Sequence, residues 1–599
     1  MDDVTLTLLI LGGTVVLFVA NKLPVAVVAL ISALALWIAG LTGPIDIVAG
    51  FGDPIVIFIA SLFVVAEGID ATGITAWLGQ QVMARVGGKR GNLLLAICVL
   101  GAVLSSLITL NGSVAALTPL VVMLAIRINQ TPSQFLMPLS FAGGAGALLM
   151  LPGSPVNVIV SEAADEAGAG PFPIFSFAIV GLPVLAGTIA ISLIFGRRLL
   201  PDRQPAEQPP DLARFAATIA EQYAEQGGFY RLRIREGSPL CGVRPSDIDI
   251  VPFPGIEVAG AQEPGSPAAI TRQLQPDDVL IVSGPRQEVS HLAIDLHLAV
   301  YLTGPRERGE LLNREAGVAE VMVPPRSSLV GSVVFPGMRR AYDLVILAVQ
   351  RNGRTQDELR GRVQPGDTWL LHGTWEALDR LTRDRDVVVV DSPDVVRRQT
   401  IAWGSGAWRA VGCVAVMIGL LAFDVVPPHI AGLIAALLMV LTRVVSMDNA
   451  YRAISWDTIV LIGALIPLTE VIRSSGAADQ IAGLLIDAVG DAGPRVLIIG
   501  VFALTAILGQ MISNTATTLV VTPIAVSAAL TSDVSVLPVL MTVAVAGSAA
   551  LLTPIATPGN MMIMGPGGYR FGDYWKLGLP TMLWWLVCAL LIIPLAWPF

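Results

Sequence analysis

The sequence predicts an all-α polytopic membrane protein interrupted by a soluble α+β insert. Three observations lead there. The 599-residue chain is 54% hydrophobic and only 14% charged, with mean hydropathy +0.72, a balance suited to lipid. Its apolar residues fall into tracts, many long enough for the roughly 17–25 residues that a bilayer span needs. Its charges crowd into one stretch, between Arg197 and Arg398.

Residues 1–200 form a first membrane block, with apolar tracts near 5–20, 23–41, 54–70, 92–126, 134–160 and 173–199. Residues 402–599 form a second, with tracts near 405–423, 427–445, 456–473, 495–530, 535–563 and 577–598. The two sets superpose at an offset of 403–404. "DPIVIFIASL" from Asp53 falls on "DTIVLIGALI" from Asp457, and "PVAVVALISAL" from Pro24 on "PHIAGLIAALL" from Pro428. Asn111 precedes Asn157 by 46 residues, as Asn514 precedes Asn560, and "SPVN" (154–157) falls on "TPGN" (557–560). One offset shared by separate matches points to an internal duplication.

Between the blocks, residues 201–228 read as a linker, with "PAEQPP" near 205–210. A second duplication follows at an offset of 89: "EGSPLCG" (236–242) matches "PRSSLVG" (325–331), and "PDDVLIVSG" (276–284) matches "PGDTWLLHG" (365–373). Short β-rich runs followed by helical stretches predict two small α+β modules, 229–300 and 318–392.

Charge sets the topology. With the insert in the cytoplasm, and with tracts 92–126 and 495–530 dipping in as re-entrant hairpins, Lys22, Arg85, Lys89, Arg90 and Arg127 fall inside. So do Arg443, Arg452, Arg570 and Lys576, while Glu162, Asp165 and Glu166 fall outside, with only Arg473 and Arg495 of the second block's basic residues beside them. Two full spans need roughly 40 apolar residues plus a turn, more than 495–530 holds. Each block then has five spans plus one hairpin. Five is odd, so the blocks are inverted repeats and both termini lie outside.

The stretch "GQMISNTATTLVVTPIA" places Ser513, Asn514, Thr515, Thr517 and Thr518 in an apolar tract. Unpaired polar groups are costly in hydrocarbon, so the cluster reads as a hairpin tip at an ion site. Free N–H groups at helix starts favour anions, and oxygens there hold Na⁺. "MLPGSPVN" (150–157) and "LLTPIATPGN" (551–560) put Pro and Gly inside apolar tracts. Proline removes a backbone donor and breaks the helix. Two tips and two breaks would enclose one central site.

These residues resemble the divalent anion–sodium symporter family of the wider ion transporter superfamily, whose tips carry S-N-T and whose following helices break at T-P. "SNT" stands at 513–515 and "ATP" at 556–558; the first half reads "LNGS" (110–113), with Leu110 and Gly112 replacing the Ser and Thr. The resemblance implies one sodium held by Ser106, Asn111 and the backbone at Gly153, and another by Asn514 with backbone near Gly509 and Ala556. It implies a small anion met by Asn111, Gly112, Ser113, Ser154, Pro155, Ser513, Asn514, Thr515, Thr557 and Pro558. It further implies an elevator motion in a homodimer of the inner membrane. The insert resembles paired RCK-C (TrkA C-terminal) modules, which implies regulation, with a small ligand of unknown identity. Symporters with such an insert look more often like sulfate permeases than dicarboxylate carriers.

Other readings compete. Glu67 and Glu470 occupy matching positions in paired tracts, and an intramembrane acid is a functional candidate by default. They would serve a proton-coupled carrier or a Na⁺/H⁺ exchanger. Ser106 could back-bond to its own helix, Pro155 and Pro558 could be plain kinks, and the Ser513–Thr515 cluster could be interhelical glue. The chain lacks a TVGYG-like filter, which argues against a channel, and lacks a complete G-x-G-x-x-G for a dinucleotide. Cys98, Cys241, Cys413 and Cys588 share no close spacing, so neither zinc nor disulfides are expected. No enzyme activity and no nucleic-acid partner are expected, since no nucleophile–base set is seen. "MDDVTLTLLI" has no basic n-region, so no cleaved signal is expected.

Overall fold

The computed structural model describes residues 2–20, 22–75, 77–78, 81, 90–128, 130–203, 229–248, 252–253, 255–263, 270, 272–300, 316–335, 337–340, 344–351, 354–355, 361–381, 384–390, 406–489 and 493–599. Beyond Arg203 the expected linker lies outside these, as do Arg85 and Lys89. The chain forms two compact units, Met1–Pro209 with Trp403–Phe599, and Pro210–Ala402.

The first half of the membrane unit runs α1 (Asp3–Ala20), α2 (Val25–Ile38), α3 (Pro44–Ala49), α4 (Pro54–Ala71), α5 (Arg90–Leu107), α6 (Leu110–Arg127), α7 (Ser133–Ala147), α8 (Pro155–Glu166) and α9 (Ala178–Leu199). Local chemistry sets several starts. Asp53 accepts the Ile55 amide at 2.8 Å just before Pro54, which opens α4.

The insert folds as two sheets. β1 (Phe229–Ile234), β2 (Glu257–Gln262), β3 (Val279–Ser283) and β4 (Leu298–Val300) lie in the order β2-β3-β1-β4, with α10 (Arg286–Asp295) after β3. β5 (Ala316–Met322), β7 (Val345–Arg351), β8 (Arg354–Thr355), β10 (Thr368–Thr374) and β11 (Val388–Val389) lie in the order β11-β5-β10-β7-β8, with α11 (Trp375–Leu381) after β10. β6 (Val333–Val334) pairs with β9 (Gly361–Arg362). Apart from β8, the two main sheets share one order once β1, β2, β3 and β4 are set on β5, β7, β10 and β11. The offset of 89 also holds at the turns: Asp278 accepts the Gln275 amide and Asp367 the Gln364 amide, each at 2.8 Å. Each buried aspartate also pairs with an arginine, Arg272 or Arg351, at 2.7 Å. The modules join through Gln262, which donates to Arg339 O and accepts the Arg339 amide. Ala259 and Ile281 enter the core of the second module.

The second half repeats the order of the first: α12 (Ala407–Ala422), α13 (Pro428–Leu441), α14 (Met447–Ala453), α15 (Trp456–Ser474), α16 (Ala477–Val489), α17 (Pro494–Gly509), α18 (Asn514–Thr531), α19 (Val536–Ser548), α20 (Pro558–Met562), α21 (Tyr574–Leu591) and α22 (Ile593–Ala596). The halves exchange partners. α2 packs on α15 and α13 on α4; α8 packs on α18 and α20 on α6.

Among the described residues six helices are long and apolar enough to cross a membrane, or seven if the pair Met447–Ala453 and Trp456–Ser474, bent by 57°, is one span. Two of the six, Arg90–Leu107 and Asn514–Thr531, are arms of the expected hairpins, and several expected spans are instead shorter apolar helices, among them Val25–Ile38 and Val536–Ser548. The hairpin arms differ from expectation in the other direction. α5, α6 and α18 have 18 residues each, roughly 27 Å at 1.5 Å per residue, more than a dip halfway into the bilayer needs. The reason is local: Thr109 and Ser513 cap the return helices, so the polar cluster is their first turn and not an extended loop. Burial sorts the helices. Asn514–Thr531 is 72% buried and Asp3–Ala20 only 22%, so the second hairpin lies inside the unit. Trp408, Phe423, Leu441, Ile194 and Leu595 stand exposed, as a lipid-facing surface requires.

Candidate functional site: two hairpin tips on a broken helix

Each tip is a helix start. Thr109 Oγ1 accepts the Gly112 amide and Ser513 Oγ the Ala516 amide, both at 3.3 Å. The caps fix a register that spacing alone misplaces. Leu110 and Asn514 are first residues of their helices, and Asn111 and Thr515 are second. Asn111 and Asn514 therefore stand one position, about 100°, apart on the two helices. The cause is one extra residue in the first half between the starts of α6 and α7, Leu110 to Ser133, relative to Asn514 to Val536.

Each break is closed by an asparagine. Asn157 Nδ2 donates to Ala147 O at 2.8 Å and Met150 O at 2.9 Å. Asn560 Nδ2 donates to Ala550 O at 2.8 Å and Thr553 O at 3.1 Å. These bonds satisfy carbonyls freed where the helices end. At the first break a Cβ on Gly153 would stand 2.4 Å from Ala147 O, so only glycine fits. The helices that follow are capped differently. Ser154 Oγ takes the Val156 amide at 3.2 Å, while Thr557 Oγ1 takes the Asn560 amide at 3.2 Å. The Gly559 amide is thereby left over, and Asn111 Oδ1 accepts it at 3.0 Å.

Both tips thus bind the second break. Asn111 reaches it from the first half. From the second tip, Gln510 Oε1 accepts the Leu552 amide at 2.7 Å, Gln510 Nε2 donates to Ala549 O at 2.9 Å, and Gln510 O accepts from Thr553 Oγ1 at 2.9 Å. The chain from Thr553 to Gly559 spans at most about 22 Å even when extended, so the tips lie close together. The first break joins through α18 and α19: a Cβ on Gly547 would meet Thr518 Oγ1 at 2.9 Å and Val156 Cγ1 at 3.4 Å.

The oxygens of the two tips differ. In the first, Ser105 and Ser113 bond each other, Ser113 donates to Leu110 O at 3.0 Å and Ser106 to Val103 O at 2.8 Å. Ser106 therefore back-bonds to its own helix. In the second, Asn514 Oδ1 and Thr517 Oγ1 are buried without a hydrogen-bond partner, and so is Ser548 Oγ on α19. A Cβ on Gly509 would stand 3.9 Å from Thr517 Oγ1, which brings the end of α17 against these oxygens. Buried unpartnered oxygens are costly unless something satisfies them, and a hard cation does so. Ala556 sits between the tip contacts, its amide donating to Thr553 Oγ1 at 3.3 Å.

Of the residues singled out from sequence, the structure brings Asn111, Gly112, Ser113, Ser513, Asn514, Thr515, Thr557 and Pro558 to the tips and the second break. Ser154, Pro155 and Gly153 form the first break. Gln510, Ser140, Asn157 and Asn560 were missed as structural anchors; Ser140 Oγ donates to Asn560 Oδ1 at 2.7 Å across the halves. A glutamine immediately before a polar tip, and asparagines just after each proline, were the available signals. Glu470 is exposed and pairs with Arg473 at 2.7 Å. Glu67 is half-buried on α4.

The CitMHS family profile, described as citrate transporter, matches residues 15–546. The uncharacterized transporter YfbS of Escherichia coli K12 is 31% identical over 98% of each chain. The uncharacterized transporter sll0640 of Synechocystis is 27% identical over 99% of this chain and 97% of its own. Sodium/sulfate cotransporter 1 of Chlamydomonas reinhardtii is 25% identical over 53% of this chain and 37% of its own.

Proposed function

Because the chain belongs to the CitMHS citrate transporter family, we propose that this transporter is a secondary active carrier moving a small divalent anion with Na⁺. Sulfate is favoured over a dicarboxylate, in keeping with the relatives named sodium/sulfate cotransporters.

The observation that carries the proposal is the set of buried, unpartnered oxygens at Asn514, Thr517 and Ser548, in a region without cationic side chains. Residues 105–113, 150–157, 509–518 and 551–560 contain no Lys or Arg. A dianion there meets only hydroxyls, amides and the starts of α6, α8 and α18, each helix start worth roughly half a positive charge. That does not balance two negative charges in a dry site. Na⁺ held by Asn514, Thr517 and carbonyls near Gly509 and Ala556 supplies the missing charge. The anion then binds well only with the cation, and the cation only with the anion, which is coupling in its thermodynamic sense. Asn111, Gly112, Ser113, Ser154, Pro155, Ser513, Thr515, Thr557 and Pro558 meet the anion.

The two halves are inverted copies, and the tips and breaks move together as an elevator against a dimeric scaffold. The insert is a cytoplasmic RCK-C pair that regulates transport, both termini lying outside. The acids serve structure: Glu470 is committed to Arg473.

Purified protein in proteoliposomes tests this. Labelled sulfate accumulates under an inward Na⁺ gradient and not when K⁺ replaces Na⁺. Glu67→Gln and Glu470→Gln leave that dependence intact. Sulfate uptake indifferent to the Na⁺ gradient refutes the coupling.

A further inference from the structure

The two halves place different side chains at one position. Thr109 and Ser513 are equivalent caps, so Leu110 occupies the place where the second half has Asn514. The leucine fills that place. Its Cδ1 lies 2.8 Å from where a Cβ on Gly143 would stand, and its Cγ 3.3 Å from one on Gly559. It is wedged between α7 and the second break, both of which are glycine at the contact. The oxygens of its own tip are committed: the Ser105–Ser113 pair, Ser106 to Val103 O, and Asn111 Oδ1 to the Gly559 amide; at the first break Asn157 Oδ1 alone is buried and unpartnered among the described side chains. The second half leaves Asn514 Oδ1 and Thr517 Oγ1 unpartnered and buried.

Resting on the Na⁺-coupled reading above, we infer that the carrier takes one coupling cation per cycle, at the second tip, and that Leu110 sets this number by occupying the first. Besides meeting the anion, Asn111 then holds the second break through Gly559. Parallel uptake of ²²Na⁺ and labelled sulfate into proteoliposomes tests this. A flux ratio of one and a Hill coefficient of one are expected. A ratio of two or more overturns the inference while Na⁺ coupling stands; no Na⁺ flux overturns both. Asn514→Ala raises the Na⁺ half-saturation at least tenfold, whereas Asn111→Ala keeps it within twofold and changes the anion KM. A tenfold rise in Na⁺ half-saturation with Asn111→Ala overturns the inference as well.

Arg203 Nη1 donates to Asp573 Oδ2 at 2.7 Å and to Gly568 O at 3.3 Å. Asp573 is 3% exposed and also accepts the Arg570 amide at 2.8 Å. The next residue, Tyr574, donates its hydroxyl to Asn560 O at 2.6 Å, and Asn560 closes the second break. Leu200 and Pro201 are tied down beside it, their carbonyls accepting from Gln134 Nε2 at 3.3 Å. We propose that Arg203, Asp573 and Tyr574 form a latch transmitting displacement of the exiting chain to the second break. Hydrogen exchange on the full-length protein in nanodiscs tests it. Arg203→Ala/Asp573→Asn and Tyr574→Phe each speed exchange across 553–563, and the triple variant adds nothing further. Unchanged exchange there, or additive effects, overturns the latch.

Discussion

Replacing Asn560 by alanine removes three hydrogen bonds at once. Ala550 O and Thr553 O lose their donor, and Ser140 Oγ loses its acceptor. Each buried group left without a partner costs about 1–3 kcal/mol, so the variant loses at least about 3 kcal/mol. Asn157 is the built-in control. It occupies the same place in the first half, is fully buried and closes its break through two carbonyls, but its Oδ1 has no protein partner. Both replacements delete the same side-chain volume, so the cavity terms largely cancel. Asn560→Ala is therefore expected to be worse than Asn157→Ala by about one buried partner, about 1–3 kcal/mol. The assay is the apparent melting temperature of both variants in one detergent at one scan rate, because membrane-protein unfolding is commonly irreversible and must be compared under matched conditions. An Asn157→Ala variant as unstable as Asn560→Ala, or more so, refutes the assignment of these bonds.

Other expectations follow from the same contacts. Gly153→Ala drives a Cβ to 2.4 Å from Ala147 O, so the first break shifts; sulfate uptake falls at least tenfold while protein yield in the membrane stays within twofold, and full uptake would contradict the packing. Gln510→Leu strips the second tip of its bonds to Ala549 O and the Leu552 amide, raising the Na⁺ half-saturation several-fold in the uptake assay. In the insert, burial pushes the Asp367 carboxyl up, but Arg351 and the Gln364 amide hold it below the usual value. The Ser328 amide and hydroxyl do the same for Asp386. Lowered carboxyls stabilise the folded insert at pH values above the ordinary carboxylate range, about 4, and that stability is lost as pH falls through their folded-state values. Limited proteolysis of the full-length protein is expected to open sites within 229–390 as pH drops below about 4, with less acid dependence in Asp386→Asn; an unchanged pattern at pH 3 refutes it.

Much of this architecture is legible in the sequence because membrane helices announce themselves by apolar length, and a duplication announces itself by a repeated offset. The matched Asp53 and Asp457 both lie at helix starts, Asp53 just before α4 and Asp457 in the first turn of α15, and the matched Asn157 and Asn560 make the same pair of bonds across their breaks. The register at the tips is not legible, because it depends on which hydroxyl caps the helix: Thr109 and Ser513 do, and that moves Asn111 off the position of Asn514. Nor does spacing reveal that Ser154 and Thr557 cap different amides, the one-residue difference that frees Gly559 for Asn111. Gln510 escapes notice because a lone glutamine in an apolar tract has no periodic signature; its meaning lies in partners 39 to 43 residues away. Arm length is not legible either, because a polar first turn of a helix reads as loop in the sequence.

The most direct test is a density map of the carrier in lipid nanodiscs with Na⁺ and sulfate. It should show Asn111 and Gln510 both against 551–560 near the bilayer midplane, with a cation peak within coordination distance of Asn514 Oδ1 and the anion beside it. A map placing either tip at a membrane surface, or the anion away from both, would contradict the account.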